Sequence, residues 1–175
     1  MDLIFFIIFV AVFILALSAA IAAVSFAPWV PCHSKDLARI FSLADLKAGE
    51  IFYDLGCGDG KTVFYAAEKY KAKAIGLEIA IPMYLTCRIK QIFQPDENVK
   101  FKFKNLFKED LSKADVVYFF GMKGTIKEKL KQKLEKELKP GARIISYTFI
   151  IDGWKPSVTD KPGKKDSSIY LYKIN

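Results

Sequence analysis

Residues 53–64 read YDLGCGDGKTVF and place three glycines, two carboxylates and a Lys-Thr pair in one turn, between an apolar run and a helical pattern. Glycines admit positive φ and let a backbone approach a ligand closely. A turn that opens a helix also presents unpaired N–H groups. Three ligand chemistries compete for such a turn. A phosphate loop needs G-x-x-x-x-G-K-[ST]; here Gly56 and Gly60-Lys61-Thr62 stand one residue too close, Leu55 occupies the place of the first glycine, and Asp59 brings a carboxylate to the anion. A dinucleotide turn needs G-x-G-x-x-G with a diphosphate at the helix N-terminus. The chain has G-x-G-x-G, bracketed by Asp54 and Asp59, which repel a diphosphate.

The third ligand is S-adenosylmethionine, which carries an ammonium, a sulfonium and a carboxylate but no phosphate. Asp54 would attract its cationic groups, directly or through water, while Gly56 and Gly58 keep a Cβ out of its way. Glu78 ends a second apolar run, AKAIGLE, 24 residues after Asp54. A carboxylate there can accept both hydroxyls of a ribose. The turn, the acidic strand end and the order of elements together select S-adenosylmethionine.

Those elements alternate. Strands are expected at 51–55, 72–78, 98–103, 114–120 and 142–150, with helices at about 62–70 and 82–93 between them. GTIKEKLKQKLEKELKPG (124–141) sets Ile126, Leu130, Leu134 and Leu138 on one helical stripe closed by Pro140-Gly141. Ser34 is the expected N-cap of a short amphipathic helix with Leu37, Ile40, Phe41 and Ala44 inward. WKPSV (154–158) and SIYLYKI (168–174) read as a terminal antiparallel pair. The pattern specifies an α/β fold: a Rossmann-like, mostly parallel seven-stranded sheet with helices on both faces and right-handed crossovers. Ligands of such sheets bind beyond the carboxyl ends of the strands, where GCGDG falls.

The chain has 175 residues, and Leu3 to Ala27 differ from the rest in carrying no charge. As a helix, that run reaches roughly 37 Å, enough to cross a hydrocarbon layer of ~30 Å. A cleaved signal peptide would have a basic start and a shorter apolar core. The expected organisation is an anchor at 1–27, a connector and helix at 28–49, and a catalytic domain at 50–175. Lys35 and Arg39 follow the apolar run with no basic residue before it, which places the domain on the cytoplasmic side of the membrane. Of 19 acidic residues only Asp2 precedes the domain, so residues 28–175 hold 27 basic and 18 acidic side chains, net +9. That charge suits anionic headgroups. The lysines are dispersed without stacking aromatics, which argues against nucleic acid as a partner. Cys32, Cys57 and Cys87 lack C-x-x-C spacing and His33 is the lone histidine, so neither a disulfide framework nor a metal site is expected.

The chain resembles the seven-strand methyltransferases, and more narrowly the small membrane-anchored protein-lysine methyltransferases whose mitochondrial members modify the c-subunit of ATP synthase or the adenine nucleotide translocase. The likeness runs over about 28–175. Its motifs are PWVP (28–31), DLGCGDG with Cys57 in place of serine, Gly76-Leu77-Glu78 with Arg88 beyond, EKLKQKLEKELKPGARIIS, and Trp154-Lys155-Pro156. Two motifs depart: Ala80-Ile81 precede Pro82 where the family has Asn-Pro, and Asn105-Leu106-Phe107 replace Asp-Leu-Trp. The resemblance implies a cofactor site of Asp54, Gly56, Gly58, Asp59, Glu78, Asn105 and Leu106, with the Asn105 carbonyl accepting from the adenine amino group.

By the same resemblance the acceptor is a lysine of a membrane protein. The rivals are a lipophilic small molecule and a cofactor-binding protein without transferase activity. Phe119, Phe120 and Met122 at the end of the fourth strand, together with Trp29, are candidates to line the acceptor channel. No His, Asp or Cys stands out as a general base, and no catalytic residue is assigned.

Overall fold

The computed structural model describes residues 2–25, 30–121, 124 and 129–175. Seven strands form one sheet: β1 (Ile51–Leu55), β2 (Lys73–Glu78), β3 (Val99–Phe103), β4 (Val116–Phe119), β5 (Arg143–Tyr147), β6 (Val158–Asp160) and β7 (Ile169–Lys173). Their order is β3-β2-β1-β4-β5-β7-β6. The first five are parallel, whereas β7 runs antiparallel to β5 and β6 to β7. The expected sheet, with its terminal antiparallel pair, is therefore present. The order reverses beside β1, so β1 and β4 splay their connections apart and open the crevice that receives ligands in this architecture.

Period-two alternation divides the core between the two faces of the sheet. Phe52 joins one cluster with Leu37, Phe41, Val63 and Ala66, from α2 (Ser34–Ala44) and α3 (Lys61–Tyr70). Tyr53 and Leu55 join the other with Leu130, Leu134 and Leu138, around α5 (Lys131–Glu137). The expected inward residues of α2, Leu37, Ile40, Phe41 and Ala44, are all buried. Asp36 of α2 is also buried, held by Arg39 at 2.7 Å and by the Tyr147 hydroxyl at 2.7 Å. Arg39 bonds Asp160 in turn, which locks α2 to the terminal strands.

Three local expectations differ. Ser34 does not cap α2: His33 takes that position without a side-chain bond, and the Ser34 hydroxyl instead accepts from Lys61 Nζ at 2.8 Å. A strand at 154–158 is replaced by β6 at Val158–Asp160. Trp154 stays outside the sheet, its ring against Tyr172 and its Nε1 donating to Glu135 at 2.9 Å, while Pro156 has no N–H to give a ladder. The helix expected over 124–141 is described as α5, with Ile126 outside the described residues. It ends before Lys139, whose helical conformation Pro140 disfavours.

The leading helix α1 (Asp2–Ser25) contains a 20-residue stretch, Leu3–Ala22, of mean hydropathy 3.1, apolar and long enough to cross a membrane. It meets the domain at the first turn of α4 (Ile81–Phe93), where the Ile81 N–H donates to Ser18 Oγ at 3.3 Å.

Gly76 in β2 shows how tightly the sheet backs the glycine turn. A Cβ there would fall 2.7 Å from Cys57 Sγ and 2.8 Å from the Phe101 ring. Gly76→Ala is expected to destabilise the chain by about 1–3 kcal/mol through overpacking, measured as a lowered urea midpoint of the detergent-solubilised protein; an unchanged midpoint would contradict this packing.

Candidate active site

β1 ends at Leu55 and the chain reverses through Gly56, Gly58 and Gly60, with φ of 87°, 53° and 79°. An L-residue pays roughly 1–2 kcal/mol in that region, so the turn depends on glycine. The Gly56 and Cys57 N–H groups both donate to the Leu77 carbonyl, at 2.9 and 3.0 Å. Gly58 N–H donates to Glu78 Oε2 at 2.8 Å, while Ile79 and Ala80 N–H groups donate to Oε1, each at 2.8 Å. Glu78 thus pins the glycine turn to the end of β2 and to the entry of α4. Burial pushes its carboxyl pKa up and the three N–H groups pull it back. A carboxylate has about four acceptor positions; these bonds leave about one on Glu78, on Oε2, and not the two that accepting both hydroxyls of a ribose, as expected from the sequence, would need.

Asp54 sits in β1 opposite Gly76 of β2 and Tyr118 of β4. Its Oδ2 accepts from the Thr62 hydroxyl, and its Oδ1 is buried with no hydrogen-bond partner. Burial raises its carboxyl to about 7, against the pull of the Thr62 hydroxyl and with help from the Glu78 and Asp59 charges. An orphaned, buried acceptor of this kind is costly, and a cationic donor in the adjoining space would satisfy it. That is the fit the amino-acid end of S-adenosylmethionine requires.

The adjoining space is a cavity of about 330 Å³. Asp54, Gly56, Gly58, Asp59, Glu78, Asn105 and Leu106, all expected at a cofactor site, line it together. Asp59 pairs with Lys90 at 2.8 Å, which offsets its charge. Asn105 accepts from the Phe107 N–H at 2.9 Å and so caps the short 3-10 turn Leu106–Lys108, with one acceptor position on Oδ1 remaining. Ala80-Ile81, where the family has Asn-Pro, still opens α4, with Pro82 in its first turn.

The channel candidates divide. Phe120 lines the cavity and packs on Phe149 and Tyr147, with ring centroids 5.8 and 6.3 Å apart. Phe119 faces the opposite side of the sheet and is fully buried in the core around Leu55 and Leu134. Trp29 and Met122 lie outside the described residues. Alternation along β4 puts Tyr118 on the cavity side with Phe120, a residue that strand parity in YFF could have singled out. Burial drives the Tyr118 hydroxyl well above its ordinary pKa, and the neighbouring Cys32 and Asp54 add to it.

Two further walls come from the connector, whose PWVP motif the resemblance includes, and from α1, which has no such signal. Val30, Pro31 and Cys32 of the connector line the cavity, tied down by Lys61 Nζ, which donates to the Cys32 carbonyl at 3.0 Å. Ala19 and Ala22 of α1 complete it.

Residues 54–158 match the family model described as the ANTKMT methyltransferase domain. The chain belongs to this family. It is 37% identical to a protein-lysine N-methyltransferase of Saccharolobus islandicus over 84% of this chain and 93% of that one. It is 29% identical to the lysine N-methyltransferase of Rattus norvegicus named for the ATP synthase c-subunit, over 78% of this chain but only 62% of the rat protein. Among solved structures, an RNA methyltransferase of Salinibacter ruber in complex with S-adenosyl-L-homocysteine superposes with a TM-score of 0.78 at 29% identity, covering 83% of this chain and 94% of that chain. The chain is an S-adenosylmethionine-dependent methyltransferase.

The raised Asp54 carboxyl gives a signed expectation. Its folded pKa, about 7, lies above the ordinary 3.8, so ionising it costs folding stability, which falls as pH rises from about 4 towards 7. A cationic ligand needs the ionised form and releases a proton on binding. Titration calorimetry with S-adenosylmethionine should therefore show affinity rising through about pH 7 and levelling off above it, with about a ten-fold loss from the plateau one pH unit below that pKa. In Asp54→Asn binding should be weak at every pH; a variant with wild-type affinity would remove Asp54 from the cofactor site.

Proposed function

We propose that this methyltransferase is held at a membrane by α1, with its catalytic domain on the cytoplasmic face, and methylates the side-chain amine of a lysine on a membrane protein. The observation that carries the membrane part is the cavity itself: Ala19 and Ala22, within the apolar stretch of α1, form part of its wall. A chain that loses α1 loses one side of its site. A lysine as acceptor is supported by the relatives at 37% and 29% identity, both named as lysine N-methyltransferases. Lys35 and Arg39 after the apolar run support the orientation.

S-adenosylmethionine supplies a methyl group already activated by its sulfonium. In this reading the Asp54 Oδ1 accepts from the cofactor's ammonium, Glu78 Oε2 from a ribose hydroxyl and Asn105 Oδ1 from the adenine amino group, while Leu106 packs on the base. Gly56 and Gly58 hold the backbone close, and Asp59 stands at the rim. Beyond these contacts the chain must align a nucleophile and exclude water. A lysine nucleophile must be neutral, and with an ordinary pKa of ~10.4 that costs roughly 4–5 kcal/mol at neutral pH. Tyr118, Phe120, Val30 and the α1 alanines make a largely apolar wall. Desolvation against it lowers an amine's pKa and favours the neutral form.

The test is labelling of host membranes by the full-length chain with tritiated-methyl S-adenosylmethionine, followed by separation into protein, lipid extract and RNA. Label is expected in protein, as methyl-lysine after acid hydrolysis. Label in lipid or RNA, or tight cofactor binding without turnover, would overturn the assignment. Phe120→Ala is expected to lower kcat/KM for the acceptor about ten-fold or more, while cofactor affinity stays within about two-fold.

A further inference from the structure

The outer face of α4 is apolar and uncovered. Leu85, Ile89, Ile92 and Phe93 fall on one helical stripe and are 48%, 55%, 75% and 80% exposed. The opposite face buries Cys87 and rests Tyr84 on the Phe103 ring at 5.4 Å. Phe103 of β3, at the edge of the sheet, is itself half exposed. Contiguous apolar surface of this kind marks a contact site. α4 bears no Asp or Glu along its length, and exposed Arg88 flanks the stripe.

The occupant follows from how α1 meets the domain. Ser18 bonds the first turn of α4, and Ala19 and Ala22 line the cavity. The apolar stretch opens at Leu3, after the charge of Asp2, and its exposed part before the partly buried Leu15 is Leu3–Ile14. Twelve helical residues span about 18 Å, short of a hydrocarbon layer of ~30 Å. The remainder of α1 can sit in lipid only if the domain is drawn into the headgroup layer with it, and α4 is an element that α1 packs against.

We propose that α4 lies along the membrane surface, with Leu85, Ile89, Ile92 and Phe93 at the headgroup–acyl boundary of an anionic leaflet and Arg88 reaching back to lipid phosphates. The inference rests on the anchored reading above. Amphipathic helices with an apolar face and basic polar residues take this position, and the net charge of +9 on residues 28–175 favours an anionic leaflet. The cavity, walled by Ala19 of α1 and by Pro82 and Met83 of α4, then opens at headgroup level. Its acceptor amine belongs to the class that emerges from a bilayer at that depth, rather than to one held far out in water.

The full chain, reconstituted in phosphatidylcholine–phosphatidylglycerol vesicles, carries the test. Ile92→Cys and Phe93→Cys take an environment-sensitive fluorophore, with Lys164→Cys as the control; Lys164 is exposed in the β6–β7 connection, at the far edge of the sheet from α4. Native Cys32, Cys57 and Cys87 are buried, and wild-type protein labelled in parallel sets the background. Lipids bearing nitroxide on their upper acyl carbons should quench the labels at 92 and 93 and leave the label at 164 bright. Labels at 92 and 93 that stay bright, in a chain that resists alkaline carbonate extraction, would overturn the docking and leave the anchor standing. A blue-shifted emission without lipid quenching would show protein, such as a second copy, on the face and overturn it equally. A chain released by carbonate would sink the anchored reading and this inference together. None of these outcomes depends on methyl transfer.

Discussion

The Glu78 carboxylate is the joint on which the site depends. Three backbone N–H groups from two different connections converge on it, Gly58 from the first crossover and Ile79 and Ala80 from the second. Charge-assisted bonds of this kind are roughly twice as strong as neutral ones, and here they fix the spacing between the glycine turn and the entry of α4. The Leu77 carbonyl, accepting from Gly56 and Cys57, holds the other side of the turn. Gly76 completes the joint by absence, since any side chain there would displace Cys57. The cofactor surface therefore belongs to the sheet rather than to a free loop, and its geometry is set before a ligand arrives.

Against that rigid joint Asp54 is the unsatisfied element. Its Oδ2 is held by Thr62 and its Oδ1 has no partner, in a fully buried place with two other carboxylates nearby. A buried polar atom left open costs about 1–3 kcal/mol, a cost that a cationic ligand removes. On the proposed reading, Asp54, which disfavours a diphosphate, is also the group that would favour a ligand bearing an ammonium, while Lys90 offsets the charge of Asp59.

Much of this is legible in the residues. The mostly parallel sheet follows from alternation, and the turn, Asp54 and Glu78 follow from residue types that carry their own chemistry, whereas the strand order comes only from the structure. What the residues do not reveal is tertiary. Tyr118 and Phe119 differ only in strand parity, which decides cavity or core and becomes fixed when β4 is placed in register with β1. Ser34 reads as a cap from its neighbours alone, but Lys61, 27 positions on, takes its hydroxyl. Asn105 reads as an adenine contact by resemblance, although its local role, capping the turn at Leu106, is equally available from its type. The displaced β6 leaves Trp154 outside the sheet, with its ring against Tyr172 and its Nε1 donating to Glu135 of α5, contacts with partners that lie far away in sequence.

The least legible feature is the convergence of α1 on the cavity. Ala19 and Ala22 look like helix filler, yet small side chains are what allow a helix to approach a pocket closely without filling it. Their partners on the other side are the connector residues held by Lys61, so the cavity is bounded by the sheet below and by chain leading out of α1 beside it. Ser18 ties α1 to the first turn of α4, and Glu78 ties that turn to the glycines, so one chain of hydrogen bonds runs from the apolar helix to the turn beside Asp54. On the proposed membrane reading, the helix that anchors the chain is therefore also part of the structure that walls the site.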